Sequence, residues 1–435
     1  MFERIFKLSE HKTTVKTEVM AGITTFMTMA YILAVNPSVL GSTGMDTTAV
    51  LLATALASCL GTLCMAFMAN LPFALSAGMG LNAFFTYTIC FGMGYTWQQG
   101  LAIVFISGLI FLAISVSPIR KQIIDSIPAP LKAAISAGIG LFICLIGLLN
   151  AGIVTAGNNL LDLSSITSGP ALLALIGLII TGILMAWKVK GALFIGILVT
   201  TVIGIPMGVT NLSNVSISFE GISIAPTFFK LSFVGLLSKG ILPLLTAIVT
   251  FAMCDCFDTV GTLIGTAGSA GMLDENGNLP RGDKALIADA VATCTGALMG
   301  TSTVTTFVES STGISEGART GLSSVVVGIL FLLGCVLAPI AGIIPSAATA
   351  PALIIVGMFM IGNVAKIDWS DVEVALPCFL TIAMMPFAYS ISDGIGFGFI
   401  SYTLIKMARG KFKEVPVLLY ILSALFVVMY ILAAL

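Results

Sequence analysis

Residues 246–268 read TAIVTFAMCDCFDTVGTLIGTAG, and after a polar loop residues 287–321 read IADAVATCTGALMGTSTVTTFVESSTGISEGARTG. The reading of these two runs decides the fold class. Asp255, Asp258 and Glu309 stand inside apolar sequence, flanked by Gly, Ser and Thr. An ionisable group at membrane depth costs at least ~2.5 kcal/mol, so it marks a substrate or ion site by default. The stretch TSTVTTFVESSTG, residues 301–313, has no clean helical period. Its consecutive Thr and Val followed by Gly313 predict extended backbone giving way to a half-helix. Non-helical backbone at membrane depth persists only where it is buried in protein or lines a cavity. Carboxylates beside a broken segment are what a transporter's central site requires.

Composition supports that setting. Of 435 residues, 58% are hydrophobic and 9% charged, with a mean hydropathy of +1.11; a soluble domain is nearer a quarter charged. Many windows reach the ~20 apolar residues that span a bilayer core. The chain reads as an all-α polytopic membrane protein. A net charge of −1 argues against a nucleic-acid partner. Nine cysteines are scattered singly apart from Cys254 and Cys256, without zinc-like spacing, so no metal or other cofactor is expected. The sole histidine, His11, precedes the first span and cannot serve a buried proton relay. No cleavable signal peptide is expected, because the first apolar run, 19–40, lacks a clear cleavage site.

Residues 1–18 predict a short amphipathic surface helix. Apolar segments follow at 19–40, 47–69, 72–92, 97–117, 128–150, 169–188 and 191–209, then at 241–267, 284–300, 301–316, 318–343, 347–363, 371–390 and 393–408. That makes about fourteen by the spanning-length rule. Loops after the even-numbered segments carry Arg120 and Lys121, Lys188 and Lys190, Arg281 and Lys284, Arg319, Lys366, then Lys406 to Lys413. Loops after the odd-numbered ones carry only Lys230 and Lys239. The positive-inside rule then puts the basic loops and the N-terminus in the cytoplasm of a multi-pass protein of the cell membrane.

A faint internal repeat accompanies this alternation. Ile23-Thr24-Thr25-Phe26 returns as Ile248-Val249-Thr250-Phe251, and Ile127-Pro128-Ala129-Pro130 as Ile344-Pro345-Ser346-Ala347. Seven segments per half make the second half enter from the opposite side, an inverted repeat. The expected organisation is a first repeat at 1–209, a polar extracytoplasmic connection at 210–240 and a second repeat at 241–410. A C-terminal apolar segment at 411–435 is left open as a crossing or a docked helix. The repeat demands that the third segment resemble the tenth. PFALSAGMGLNAFFTY, residues 72–87, is indeed Gly-punctuated and holds Asn82 as its one strongly polar central residue. Two half-helices would meet near the midplane and offer unpaired N–H groups to an acceptor-rich ligand.

The residues divide accordingly. Asp255 and Asp258 are three apart and share a helix face, which makes Asp258 a ligand or proton carrier and Asp255 its support; a structural carboxylate pair is the bland alternative. Glu309 stands where the extended run ends. Asn82 is a ligand contact or a tie between helices. Glu316 and Arg319 read as a loop anchor, and Asp289 as a helix-start acid or a gate residue. Asp393 fits an N-terminal cap. The GIGFGF run, residues 394–399, reads as a packing surface.

SAGMGLNAFF (76–85), DTVGTLIGTAG (258–268), GTSTVTTFVESSTGISEGARTGL (300–322) and PFAYSISDGIGFGFI (386–400) resemble the AzgA-like purine permeases of the nucleobase–ascorbate transporter family. The resemblance covers nearly the whole chain. It implies the uracil-permease-like fold, a 7+7 inverted repeat of about fourteen transmembrane segments split into core and gate domains. Segments three and ten would each be a short strand followed by a helix. It also implies proton-coupled uptake of hypoxanthine, guanine and adenine. By motif, Asp258 resembles the acidic residue of the uracil permease's eighth helix, Glu309 the ligand-binding glutamate of the tenth, and Asn82 a polar residue of the third. Gly80 and Ser310 join these as substrate contacts, Asp258 and Glu309 as proton carriers, and Asp255 and Thr262 as supports. Thr262 stands where the uracil permease has histidine, so that carboxylate–histidine arrangement cannot operate here.

A buried carboxylate can accept two purine N–H groups, and Phe84, Phe85, Phe257 or Phe307 could stack on the ring. The expected partners are a purine nucleobase, protons and the lipid bilayer, with a homodimer as one option and no nucleic acid. A uracil- or xanthine-type nucleobase permease and an anion exchanger on the same fold are the alternatives. The exchanger would want a net positive site, which two midplane acids oppose. An intramembrane enzyme would need a nucleophile–base or metal set, and the chain has no buried histidine and no HExxH motif. A channel is disfavoured by broken segments with few pore-lining polar rows.

Overall fold

The computed structural model describes residues 2–117, 126–155, 161–167, 169–212, 222–274 and 279–434. Arg120 and Lys121, used above for orientation, and residues 213–221 of the connection lie outside them. The described chain is predominantly helical. Among the described residues, eight helices are long and apolar enough to cross a membrane, and three further apolar helices are shorter. Each expected segment coincides with a helix or with a broken strand–helix element. The N-terminal surface helix is shorter than expected, Phe2–Phe6 alone. Lys7 and Lys12 take left-handed backbone (φ 55° and 53°), which ends the helix. The first span already starts at Val15, where Thr14 accepts a hydrogen bond from the Thr17 N–H at 3.2 Å.

The helices pack mostly within two sets, each drawing on both halves of the chain. The first set holds α1 (Val15–Met29), α2 (Ile32–Gly41), α3 (Thr47–Cys64), α4 (Met79–Ala83) and α5 (Trp97–Val116). It continues with α6 (Ile241–Ser269), α7 (Gly282–Met299), α8 (Ser310–Ser315) and α9 (Gly321–Gly334). The second set comprises helices Ala129–Asn150, Gly169–Ala186, Ala192–Gly204, Ser346–Ile361, Val372–Phe387, Ile391–Ala408 and Val417–Ala434. The C-terminal helix is held there by a Thr403–Ser423 hydroxyl contact of 2.9 Å and by Tyr430, which donates to Asp393 at 3.0 Å. Ser390, rather than Asp393, caps the helix before it. The GIGFGF glycines pack closely: a Cβ at Gly394 would lie 2.3 Å from the Met385 side chain, and at Gly398 would overlap Thr381.

Two strands lie inside the first set. β1 (Leu75–Ala77) pairs antiparallel with β2 (Val304–Thr306), Leu75 opposite Thr306, Ser76 opposite Thr305 and Ala77 opposite Val304. β1 leads through Gly78 into α4, which continues as the wide-wound helix Phe84–Gly92; β2 leads into α8. A two-stranded ribbon has two open edges, and buried backbone groups must find partners. Side chains from the surrounding helices supply them. Thr62 of α3 bonds both the N–H and the C=O of Leu75, at 2.9 and 3.1 Å. The Thr293 hydroxyl of α7 lies 3.1 Å from the Val304 C=O, sharing its one proton between that carbonyl and the shorter bond to Asp255. The ribbon's side chains are likewise tied, Ser76 to Ser58 at 2.7 Å and Thr305 to Thr259 at 2.8 Å. The turn into β2 needs glycine: Gly300 has φ +95°, and a Cβ there would lie 2.2 Å from that of Thr227.

In the second set, helices Ala129–Asn150 and Ser346–Ile361 cross at facing glycines. A Cβ on Gly357 would stand 2.5 Å from the Gly140 carbonyl oxygen, and one on Gly140 2.7 Å from that of Gly357. With no hydrophobic force between helices in lipid, such close backbone approach supplies the packing. Gly357→Val is therefore expected to destabilise by ~1–3 kcal/mol through overpacking. The check is a lower Tm of the detergent-purified protein. Gly182→Ala, where an added Cβ meets nothing within 4 Å, should leave it unchanged.

Candidate functional site

Glu309 immediately precedes α8, at the end of the ribbon, and is partly open to solvent. Its Oε1 accepts a hydrogen bond from the Tyr31 hydroxyl at 2.8 Å. Tyr31 sits between α1 and α2 and is 1% exposed. The link ties the first span to the tenth and occupies one of the two carboxylate oxygens. Asp258 lies on α6 and is exposed, whereas Asp255, Cys256 and Thr259 around it are buried. Gly261 and Gly265 continue the same open stripe, where an added Cβ would meet nothing within 4 Å. Asp258 and Glu309 are within electrostatic reach of each other. The fold thus brings together two acids that are 51 positions apart in the chain. Thr262 is half-buried one turn beyond Asp258.

Asp255 turns the other way. It is 2% exposed, and its Oδ2 accepts from the Thr293 hydroxyl at 2.7 Å. Ser310 is fully buried, and its Oγ accepts from the Ala74 N–H at 3.0 Å, which ties α8 to the start of β1. A Cβ on Gly80 would meet Ile139 at 2.7 Å, so this glycine lets α4 approach the second set. Asn82 is fully buried, and its Nδ2 donates to Asn36 Oδ1 at 2.7 Å. Asp289 is no helix-start residue. It stands well inside α7, fully buried, and its Oδ1 accepts from the Thr306 hydroxyl at 2.7 Å, bracing β2. Glu316 pairs with Lys190 and accepts from Thr24 at 2.6 Å, and Arg319 donates to the carbonyls of Ile314 and Ala318, both at 2.7 Å.

Two residues escaped the sequence reading as site groups, and a third, Asp289, entered it only as a helix-start acid or a gate residue. Tyr31 carried no signal, because a tyrosine in an apolar span is ordinary. Asn36 did carry one: it is as polar as Asn82 and stands inside the apolar run 19–40. Asp289 was noticed, but its bond to the ribbon depends on the packing of α7. Among the aromatic candidates, Phe84, Phe85 and Phe307 are buried, with Phe84 edge-on to Phe251 at 4.7 Å between ring centroids. Phe257 is half-buried, with the Lys132 ammonium 5.1 Å from its ring centroid. A recess of about 350 Å³ opens beside α8, lined by Ala270, Ser311, Ile314, Ser315 and Arg319. At another place between the two sets, Tyr87 stands edge-on to Phe142 and Tyr389, at centroid distances of 6.3 and 5.9 Å. Asn150 there donates to the Tyr87 hydroxyl at 3.2 Å.

A family model described as the Permease family matches residues 16–397. The chain is 44% identical over 436 residues to the guanine/hypoxanthine permease PbuG of Bacillus subtilis (strain 168), covering 98% of each chain. It is 42% identical over 430 residues to the adenine permease AdeP of Escherichia coli (strain K12), covering 98% of this chain and 95% of that one. Among solved structures, the transmembrane domain of the cyanobacterial bicarbonate transporter BicA superposes with a TM-score of 0.68 at 16% identity, over 87% of this chain and 97% of that one. That likeness shows a shared transporter fold.

Proposed function

Since the chain belongs to the permease family, in its AzgA-like purine-permease branch, and is a multi-pass membrane carrier and not an enzyme, we propose that it imports purine nucleobases by proton symport. The substrates are hypoxanthine and guanine, with adenine alongside them. The observation that carries this reading is the Glu309 carboxylate at the end of the strand ribbon, half-buried and within electrostatic reach of Asp258, with Tyr31 on only one of its oxygens. The second oxygen is left to accept a purine N–H, and a charged acceptor in a desolvated site makes the stronger kind of hydrogen bond. Of the four candidate rings, Phe257 is the one not buried and so the one open to stack on the base. Asp258 carries the proton. Gly80 and Ser310 act at one remove, by setting how α4 and α8 approach.

The remaining architecture supports alternating access. Residues 1–209 and 241–410 are inverted repeats of seven segments, with 210–240 connecting them outside the cell. The N-terminus and the basic loops are cytoplasmic. The first packing set carries the site and slides against the second. The open stripe of α6 and the recess beside α8 are the cytoplasmic vestibule, and the Tyr87–Phe142–Tyr389 cluster closes the outer face. An inward-facing carrier would look this way.

The test is uptake of radiolabelled hypoxanthine, guanine, adenine and uracil in transport-deficient cells. Purine uptake should exceed uracil uptake, rise as the external pH falls and collapse with a protonophore. Sodium-dependent, pH-insensitive uptake would overturn the proton coupling, and preference for uracil would overturn the substrate class.

A further inference from the structure

The buried amide of Asn82 is oriented by a chain of hydrogen bonds that ends on a main-chain carbonyl. The Thr54 hydroxyl lies 2.6 Å from the carbonyl oxygen of Val50, one turn earlier on α3. A hydroxyl has one proton, and here it is committed to that carbonyl. Thr54 can therefore only accept from Asn36, whose amide nitrogen stands 2.7 Å away. The second N–H of Asn36 goes to the Thr301 hydroxyl oxygen at 2.9 Å. Both donors of Asn36 are spent, so its Oδ1 must face Asn82, and only an N–H of Asn82 can answer it at 2.7 Å. An amide's nitrogen and oxygen are ordinarily assigned from such a network. This network admits one solution, since a peptide carbonyl cannot donate.

The consequence falls on the other end of Asn82. Its nitrogen is directed at Asn36 and, weakly, at the Met79 sulfur at 3.8 Å. Its Oδ1 is buried and has no hydrogen-bond partner among the described residues. A buried acceptor left unpaired carries the full cost of its lost hydration, so it calls for a donor. We infer that Asn36 and Thr54 are positioning residues that lock Asn82 with its carbonyl oxygen free, so that the permease selects purines bearing an N–H at the edge Asn82 meets. This rests on the proposed reading of Asn82 as a substrate contact. It adds that the contact has one polarity: acceptor on the protein, donor on the base.

The test uses competition against labelled hypoxanthine by 1-, 7- and 9-methylhypoxanthine, since methylation removes hydrogen-bond donors one at a time. Ratios of inhibition constants within one variant are independent of expression level. Wild type should reject one methylated analogue most strongly, and Asn82→Asp, which keeps acceptor oxygens, should still reject it. In Asn82→Ala, Asn36→Leu and the near-isosteric Thr54→Val, that rejection should relax by at least about tenfold. Thr54→Ser keeps the hydroxyl and should restore the wild-type ratio, which a merely structural defect would not do. If Asn82→Ala leaves every ratio unchanged, Asn82 is not at the site and the underlying reading falls, taking this inference with it. If Asn82→Ala changes the ratios while Thr54→Val and Asn36→Leu match wild type, Asn82 is a contact but the chain does not set its polarity. That result overturns the inference alone.

Discussion

Purified Glu309→Gln protein is expected to bind hypoxanthine, guanine and adenine weakly or not at all while still reaching the membrane. Glutamine keeps the side-chain length and one oxygen, so it can still accept from the Tyr31 hydroxyl that Glu309 holds at 2.8 Å. The tie between the first span and α8 then survives, and the loss falls on ligand recognition. The second carboxylate oxygen becomes an amide N–H₂, a donor where a purine N–H needs an acceptor. Removing a charged acceptor from a desolvated pair costs ~2–5 kcal/mol, a weakening of roughly thirtyfold to several thousandfold in Kd. All three purines should weaken together, because the carboxylate holds an edge that they share. Calorimetric titration of hypoxanthine into the purified variant measures this directly. An unchanged Kd would remove Glu309 from the site.

Asp258→Asn should fail in a different way. One proton moving down ~150 mV supplies about 3.5 kcal/mol, enough for a gradient of roughly three hundredfold. If Asp258 carries that proton, the asparagine variant loses the whole of this accumulation, and internal purine settles at the external concentration. Binding and the exchange of internal for external purine need no net proton movement, so both should persist. The exposure of Asp258 on the open stripe of α6 favours this role over Asp255, whose Oδ2 is occupied by Thr293. Preloaded vesicles separate the two activities: counterflow should remain while pH-driven accumulation disappears. Accumulation retained at wild-type level would exclude Asp258 as the coupling group.

The membrane class was legible in composition alone, because a chain that is 58% hydrophobic and 9% charged cannot solvate its surface in water. The two broken segments were legible as well. Glycines and β-branched runs at 72–87 and 301–313 cannot hold regular helix, and they form the strand–helix elements expected of them. Asp258 and Glu309 announced themselves through the cost of a charge in an apolar run. All of these are local properties, carried by a few consecutive residues. What tertiary structure alone decided is which oxygen faces which donor. Asp255 and Asp258 look alike in sequence, yet α6 turns one toward Thr293 and the other toward open space. Tyr31 reaches Glu309 across 278 positions, and Asn36 reaches Thr301 across 265. Hydrogen bonds between such distant residues depend on helix packing to a few tenths of an ångström. No periodicity in the chain encodes them, and they orient the side chains of the site.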